Sequence, residues 1–207
     1  MEKIITKEKI FIVQEELKDY KEMILFGKGP SFQIKEKKLE LFFCGNDAMN
    51  FVDCDVLCIN DFESTERINK ERLNDVKFIL LPNNPHIRKR PDKSMTYNNI
   101  VEVFDLHFKG NYIVYNLKTS KENDDFITLN TMISVSNTAL EFTSKYLKNI
   151  KDVETYGIGI MQNYSDVFYY NGEKNQSSES KNKDWINLVK NDIVNNCNAN
   201  KLNLKMN

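Results

Sequence analysis

Short, uninterrupted apolar runs recur along the chain, and longer polar stretches separate them. Runs of that kind read as strands buried on both faces of a sheet, because a strand with one wet face would alternate. Residues 23–26 (MILF), 39–44 (LELFFC), 55–60 (DVLCIN) and 76–82 (VKFILLP) are the clearest, the last stopped by Pro82. Residues 111–117 (NYIVYNL) and 153–160 (VETYGIGI) follow; 101–108 (VEVFDLHF) and 201–204 (KLNL) read as further strands. Helical spacing fills several gaps. Ile10, Val13 and Leu17 form an apolar stripe within 7–19, so an amphipathic helix is expected over the first 20 residues. Residues 32–38 (FQIKEKK) suggest a brief helix and 63–75 (ESTERINKERLND) a polar one. Residues 136–148 carry Ala139, Leu140, Phe142 and Tyr146 or Leu147 on one face, with Ser136 or Asn137 as N-cap, and 184–194 give a last helix. Strands alternating with helices and polar loops predict an α/β fold: an open, mostly parallel sheet flanked by helices. No internal repeat and no second core interrupt it, so residues 1–207 are expected to form one domain.

Composition narrows the picture. The chain of 207 residues is 41% hydrophobic, long enough for one real core and globular rather than disordered. Its 30 acids and 29 bases nearly cancel, which argues against a nucleic-acid partner. The first residues interleave acids with short apolar runs, so neither a signal peptide nor a membrane span is expected. Cys44, Cys54, Cys58 and Cys197 form no CxxC pair, and His86 and His107 are the only histidines. A zinc site is not expected, and buried reduced thiols suit a cytoplasmic protein.

One stretch stands out: "ILFGKGPSF", residues 24–32. A chain with 7 glycines and 4 prolines places two of the first and one of the second in a single turn. In an open parallel sheet, ligands lie beyond the carboxyl ends of the strands. Gly27 and Gly29 would let backbone amides approach a phosphate, with Lys28 between them, Pro30 fixing the exit and Ser31 capping the following helix. A tight strand-to-helix turn without a ligand fits the same residues.

The stretch "LFGKGPSF", followed by "LFFCGNDAMNFVDCDVLCIND", resembles the front half of the bacterial sialyltransferases of glycosyltransferase family 42 and related Rossmann-like proteins of phages and bacteria. The resemblance covers residues 23–61 well, and 134–160 (through "SVSNTALEFTSKYLKNIKDVETYGIGI") more loosely. It implies a Rossmann-like domain that takes a CMP-activated sugar as donor and a glycan as acceptor, and inverts at the anomeric carbon. It implies no metal and no further cofactor. The glycine turn, Asn46 and Asn60 at two strand ends, and Asn137 with Thr138 before a helix would line the nucleotide. Tyr169 and Tyr170, or Tyr164, in a lid loop over 161–183 would steady the phosphate. Homo-oligomers and peripheral membrane contact are compatible with this reading.

The chain departs from the family at three places. Lys28 stands where the sialyltransferases have Asn. The family's Gly-Ile-Asp becomes Gly157-Ile158-Gly159, without the acid. No histidine follows His107, so the family's base is missing; "ESKNKD" (179–184) puts Glu179 where that histidine would align. A carboxylate serves as base if burial raises its pKa, although a solvated loop is the plainer reading of that segment. Likewise "VFYY" (167–170) also suits core packing. The loop 86–91 (HIRKRP) offers His86, Arg88, Lys89 and Arg90 to an acidic ligand, or simply to solvent. Two other functions stay open: a nucleotide-binding module without chemistry, and an enzyme like the archaeal pterin pyrophosphokinases, which would use magnesium and draw on Asp47, Asp53, Asp55 and Asp61.

Overall fold

A computed structural model describes residues 3–29, 31–86, 95–118, 123–130, 134–158 and 183–207. The strands are β1 (Ile4–Ile5), β2 (Glu22–Phe26), β3 (Leu41–Gly45), β4 (Val56–Cys58), β5 (Phe78–Pro82), β6 (Asn111–Leu117), β7 (Ile127–Leu129), β8 (Asp152–Tyr156) and β9 (Asn203–Met206). The α-helices are α1 (Ile10–Glu16), α2 (Tyr97–Phe104), α3 (Val135–Tyr146) and α4 (Lys183–Ala199). All nine strands join one sheet in the order β1-β6-β5-β4-β3-β2-β8-β9, with β7 continuing the β1 edge beside β6. Every described pairing is parallel. This is a Rossmann-like α/β fold, as the alternation of elements predicts.

The apolar runs are continuous because both faces of the sheet are covered. Met23 and Leu25, Leu41 and Phe43, Val56 and Cys58, and Phe78 and Leu80 point to one face, where α1, α3 and α4 supply Val13, Leu17, Ala139, Leu140, Phe142, Val189 and Ile193. Ile24 and Phe26, Phe42 and Cys44, Leu57, and Ile79 and Leu81 point to the other, against Met49, Ile68, Leu73, Ile100 and Phe104. A period of two thus sorts each strand between two cores.

Several elements differ from the sequence reading. Residues 101–108 are not a strand: α2 ends at Phe104. Thr96 and Asn99 form a reciprocal capping box that starts the helix, and Ile100 and Phe104, four apart, bury its inner face. Residues 62–75 form two 3-10 helices, Phe62–Glu66 and Lys70–Asp75, rather than one α-helix. Ile68 and Leu73 are its buried apolar residues, and their spacing of five makes no helical stripe. Residues 32–38 form no helix: Phe32 is buried, Ile34 is exposed, and the segment has no regular secondary structure. The cap of α3 is Ser134, whose Oγ accepts from Asn137 N–H at 3.2 Å, two residues before the expected Ser136. α4 runs to Ala199, longer than the expected 184–194. All four cysteines are buried and free.

Candidate functional site

Along the sheet, β2 to β6 advance in one direction, whereas β8 and β9 lie on the opposite side of β2. The connections leaving β2 and β8 therefore part company, which makes the carboxyl ends of these two strands the topological switch point, the place where open α/β sheets take ligands.

The glycine turn stands at this switch point, and it is stitched to β8. Gly27 N–H donates to Tyr156 O at 2.8 Å and Gly29 N–H to Gly157 O at 2.6 Å, while Gly157 N–H donates to Ser31 Oγ at 3.1 Å. Gly157 has φ +64°, and a β-carbon on Gly27 would meet Gly157 O at 2.5 Å. The two glycine amides thus face the neighbouring chain segment. Ser31 caps no helix; its hydroxyl holds the end of β8. Pro30 lies outside the described residues.

What the turn contributes to the site is Lys28. Its Nζ lies 2.9 Å from Asp47 Oδ1, both side chains being buried, and Arg67 Nε lies 3.5 Å from Asp47 Oδ2. Burial lowers the Lys28 pKa, opposed first by the Asp47 carboxylate and then seconded by the Arg67 charge. Asp47 comes from the 3-10 helix Asn46–Asn50 after β3, and Arg67 follows the 3-10 helix Phe62–Glu66 after β4. Three successive strand ends so build one charge cluster, with Lys28 and Asp47 buried and Arg67 half-buried.

Asn46 opens the loop after β3 with φ +51°, one of two non-glycine residues in the left-handed region among those described. Asparagine tolerates that conformation better than most residues, and it still costs about 1 kcal/mol. Its side-chain Oδ1 is buried with no hydrogen-bond partner among the described residues. Backbone strain and an orphaned acceptor on one residue, beside a charge cluster and at a strand end, mark a position shaped for something other than packing.

Asn60 and Thr138 meet, as the sequence reading groups them, but they bond each other. Asn60 Nδ2 donates to Thr138 Oγ1 at 3.1 Å, and Asn60 Oδ1 accepts from Tyr115 Oη at 3.0 Å and Cys58 Sγ at 3.7 Å. Burial pushes the Tyr115 hydroxyl and the Cys58 thiol well up, so both stay neutral donors. Asn137 is fully buried; its Nδ2 donates to Asp192 Oδ2 and to Val189 O at 3.4 Å, tying α3 to α4.

Of the four aspartates considered for a metal-dependent reaction, Asp47 and Asp61 stand at the carboxyl edge. Asp55 precedes β4 at the opposite edge, where it accepts from Phe42 N–H at 3.0 Å and pairs with Lys37 at 2.6 Å and Lys77 at 3.4 Å. Asp53 is exposed, its carboxylate 3.9 Å from Arg72 and its carbonyl 3.5 Å from Cys44 Sγ. Among the described residues no group of three or more His, Cys, Asp or Glu could hold a metal ion, and no helix is long and apolar enough to cross a membrane. Tyr164, Tyr169, Tyr170, Glu179, Arg88, Lys89 and Arg90 lie outside the described residues.

Sequence reasoning missed Arg67 and the pairing of Asp61 with His86, whose Nδ1 lies 3.1 Å from Asp61 Oδ1. Asp61, next to Asn60 at the end of a strand-like run, carried the signal for its own position. Nothing in the spacing announced its partner. Models of protein families, curated proteins and solved structures were compared with the chain, and none matches.

Proposed function

We propose that the chain binds a cytidine nucleotide beyond the carboxyl ends of β2, β3 and β4, as the activated donor of a sugar. It passes the sugar to a glycan hydroxyl by inverting displacement, in the manner of the family 42 sialyltransferases that its sequence resembles. The observation that carries this reading is Asn46: a strained residue at a strand end with a buried, unpartnered amide oxygen. An amide oxygen only accepts, so its complement is a donor such as a ribose hydroxyl or the exocyclic amine of cytosine. Lys28 and Arg67 share the Asp47 carboxylate beside it, and two cations on one carboxylate leave an excess of positive charge that suits a phosphate. A reducing compartment such as the cytoplasm suits the four free thiols.

A second reading, a nucleotide-binding module without chemistry, draws support from Asn60 and Asn137, whose amides are engaged by Tyr115, Thr138, Asp192 and Val189. The test is a thermal-shift titration with CMP, CDP, UMP, ATP and CMP-sialic acid, with and without magnesium. A ligand that binds only the folded chain raises the melting temperature with its concentration. The expected result is a cytidine-specific, metal-independent shift. No shift with any nucleotide overturns the proposal, and a shift with ATP that requires magnesium replaces it with the pyrophosphokinase reading. Release of CMP from CMP-sialic acid separates the transferase from the silent module.

A further inference from the structure

Beyond the ends of β4 and β5 the two chain segments meet once more, at Asp61 and His86, in an isolated parallel bridge. His86 N–H donates to Asn60 O at 2.8 Å, and Phe62 N–H donates to His86 O at 3.0 Å. The backbone is held on both sides of the imidazole, which sets the side chains against each other with Nδ1 3.1 Å from Asp61 Oδ1. A carboxylate oxygen accepts, so Nδ1 is the ring nitrogen placed to donate, and in the neutral ring that leaves Nε2 as the acceptor. The Asp61 side chain is 21% exposed and that of His86 55%, so the carboxylate is the sheltered partner and the imidazole the one in reach of a ligand. Lys28 follows β2 and Asp61 follows β4 in the same parallel sheet, one strand apart, which puts the pair at the same carboxyl edge as the glycine turn.

We infer that His86, oriented by Asp61, is the general base of this site and takes the proton of the incoming hydroxyl. The inference rests on the nucleotide-sugar reading above. A carboxylate that fixes the tautomer, an imidazole that accepts at its far nitrogen, and a place at the carboxyl edge of the sheet are the parts this chemistry needs. In the step, Nε2 accepts the hydroxyl proton while the hydroxyl oxygen forms a bond to the anomeric carbon. The bond from that carbon to the phosphate oxygen breaks, and its electron pair leaves with CMP. The imidazolium then returns the proton to water. The chain thus answers the loss of the family's later histidine with one from another loop, and Glu179 is not needed for the role.

The test combines two measurements on the full chain. With only two histidines, the imidazole nitrogens resolve readily by 15N NMR. His86 is expected as the Nδ1–H tautomer, with signals that shift when CMP is added while those of His107 stay. His86→Gln is expected to keep CMP affinity within about threefold and to lower CMP release from CMP-sialic acid, with water or a panel of free sugars as acceptor, at least about 100-fold. Asp61→Asn is expected to let the ring adopt the Nε2–H tautomer and to lower release at least about tenfold, again with CMP affinity kept. A wild-type Nε2–H tautomer overturns the inference, as does full release by His86→Gln, or loss of release in Glu179→Gln but not in His86→Gln. A wild type that binds CMP and releases none from the donor overturns the base while leaving the nucleotide site; one that binds no CMP overturns both.

Discussion

A β-carbon on Gly157 would lie 2.5 Å from the carbonyl oxygen of Gly27, and one on Gly27 would lie 2.5 Å from that of Gly157. The two residues end adjacent strands at the point where the connections diverge. Glycine at both places lets the backbones touch, and three hydrogen bonds from Gly27, Gly29 and Gly157 close the junction.

Gly157→Ala combines a steric clash with a side chain at φ +64°. Overpacking of this kind costs typically about 1–3 kcal/mol, and the positive φ adds to it. Urea unfolding should show a lower midpoint with an unchanged slope. A midpoint equal to that of the wild type would mean that the junction relaxes freely and contributes no rigidity to the site.

Asn46→Gly should separate strain from function. Glycine accepts φ +51° without penalty, so the folded state should lose nothing and could gain up to about 1 kcal/mol. CMP affinity should fall about tenfold, the worth of one hydrogen bond in a dry site. Paired melting and calorimetric titration check both halves. A variant that loses stability and keeps its affinity would show Asn46 to be a turn residue and nothing more.

Asp55 anchors the opposite edge of the sheet. Its buried carboxylate joins Phe42 N–H, Tyr20 Oη, Lys37 and Lys77. Asp55→Ala leaves Phe42 N–H without its acceptor, at about 1–3 kcal/mol; the two lysines are partly exposed and turn to water, adding little. The melting temperature should drop while CMP affinity stays at the wild-type value. A change in affinity would refute the separation of the two edges.

The elements legible in the sequence are those whose pattern has one cause. Val56–Cys58 and Phe78–Pro82 are buried at every position because both faces of the sheet are covered, and their shortness separates such continuous runs from buried helices. VEVFDLHF misleads because its alternation satisfies a strand as well as Ile100 and Phe104 satisfy a helix; the decisive residues, Thr96 and Asn99, lie upstream. Asn60 could be placed at a strand end by counting. Its engagement by Tyr115 and Thr138 could not, because those partners are 55 and 78 residues away. The same holds for His86, which is set against Asp61 by strand pairing and not by any spacing between them.

Asn137→Ala tests the α3–α4 junction. The amide donates to Asp192 and Val189, and its loss takes a donor from the Asp192 carboxylate, while the Val189 carbonyl keeps its place in the helix ladder. The expected loss is about 1–3 kcal/mol, with α4 amides exchanging faster than those of the central strands. If exchange in α4 is unchanged while CMP affinity collapses, Asn137 belongs to the ligand and not to the helix pair.

Lys28→Met reads the charge cluster through pH. Burial, the largest influence, lowers the Lys28 pKa below its ordinary value of 10.5, against the pull of Asp47. Between the folded and unfolded values the unfolded chain therefore holds a proton that the folded chain has released, and stability rises with pH across that window. Lys18, Lys77 and Lys205 are shifted upward and act in the opposite sense, but they do so in the wild type and the variant alike. The stability of the wild type minus that of Lys28→Met should hence climb as pH rises toward 10.5 and flatten above it, measured by urea unfolding at a series of pH values. Asp47 keeps Arg67 as a partner in the variant. A gap that instead shrinks with rising pH would mean that the attraction of Asp47 outweighs burial. Lys28 would then be held as a full cation, a fixed positive charge just beyond the carboxyl end of β2.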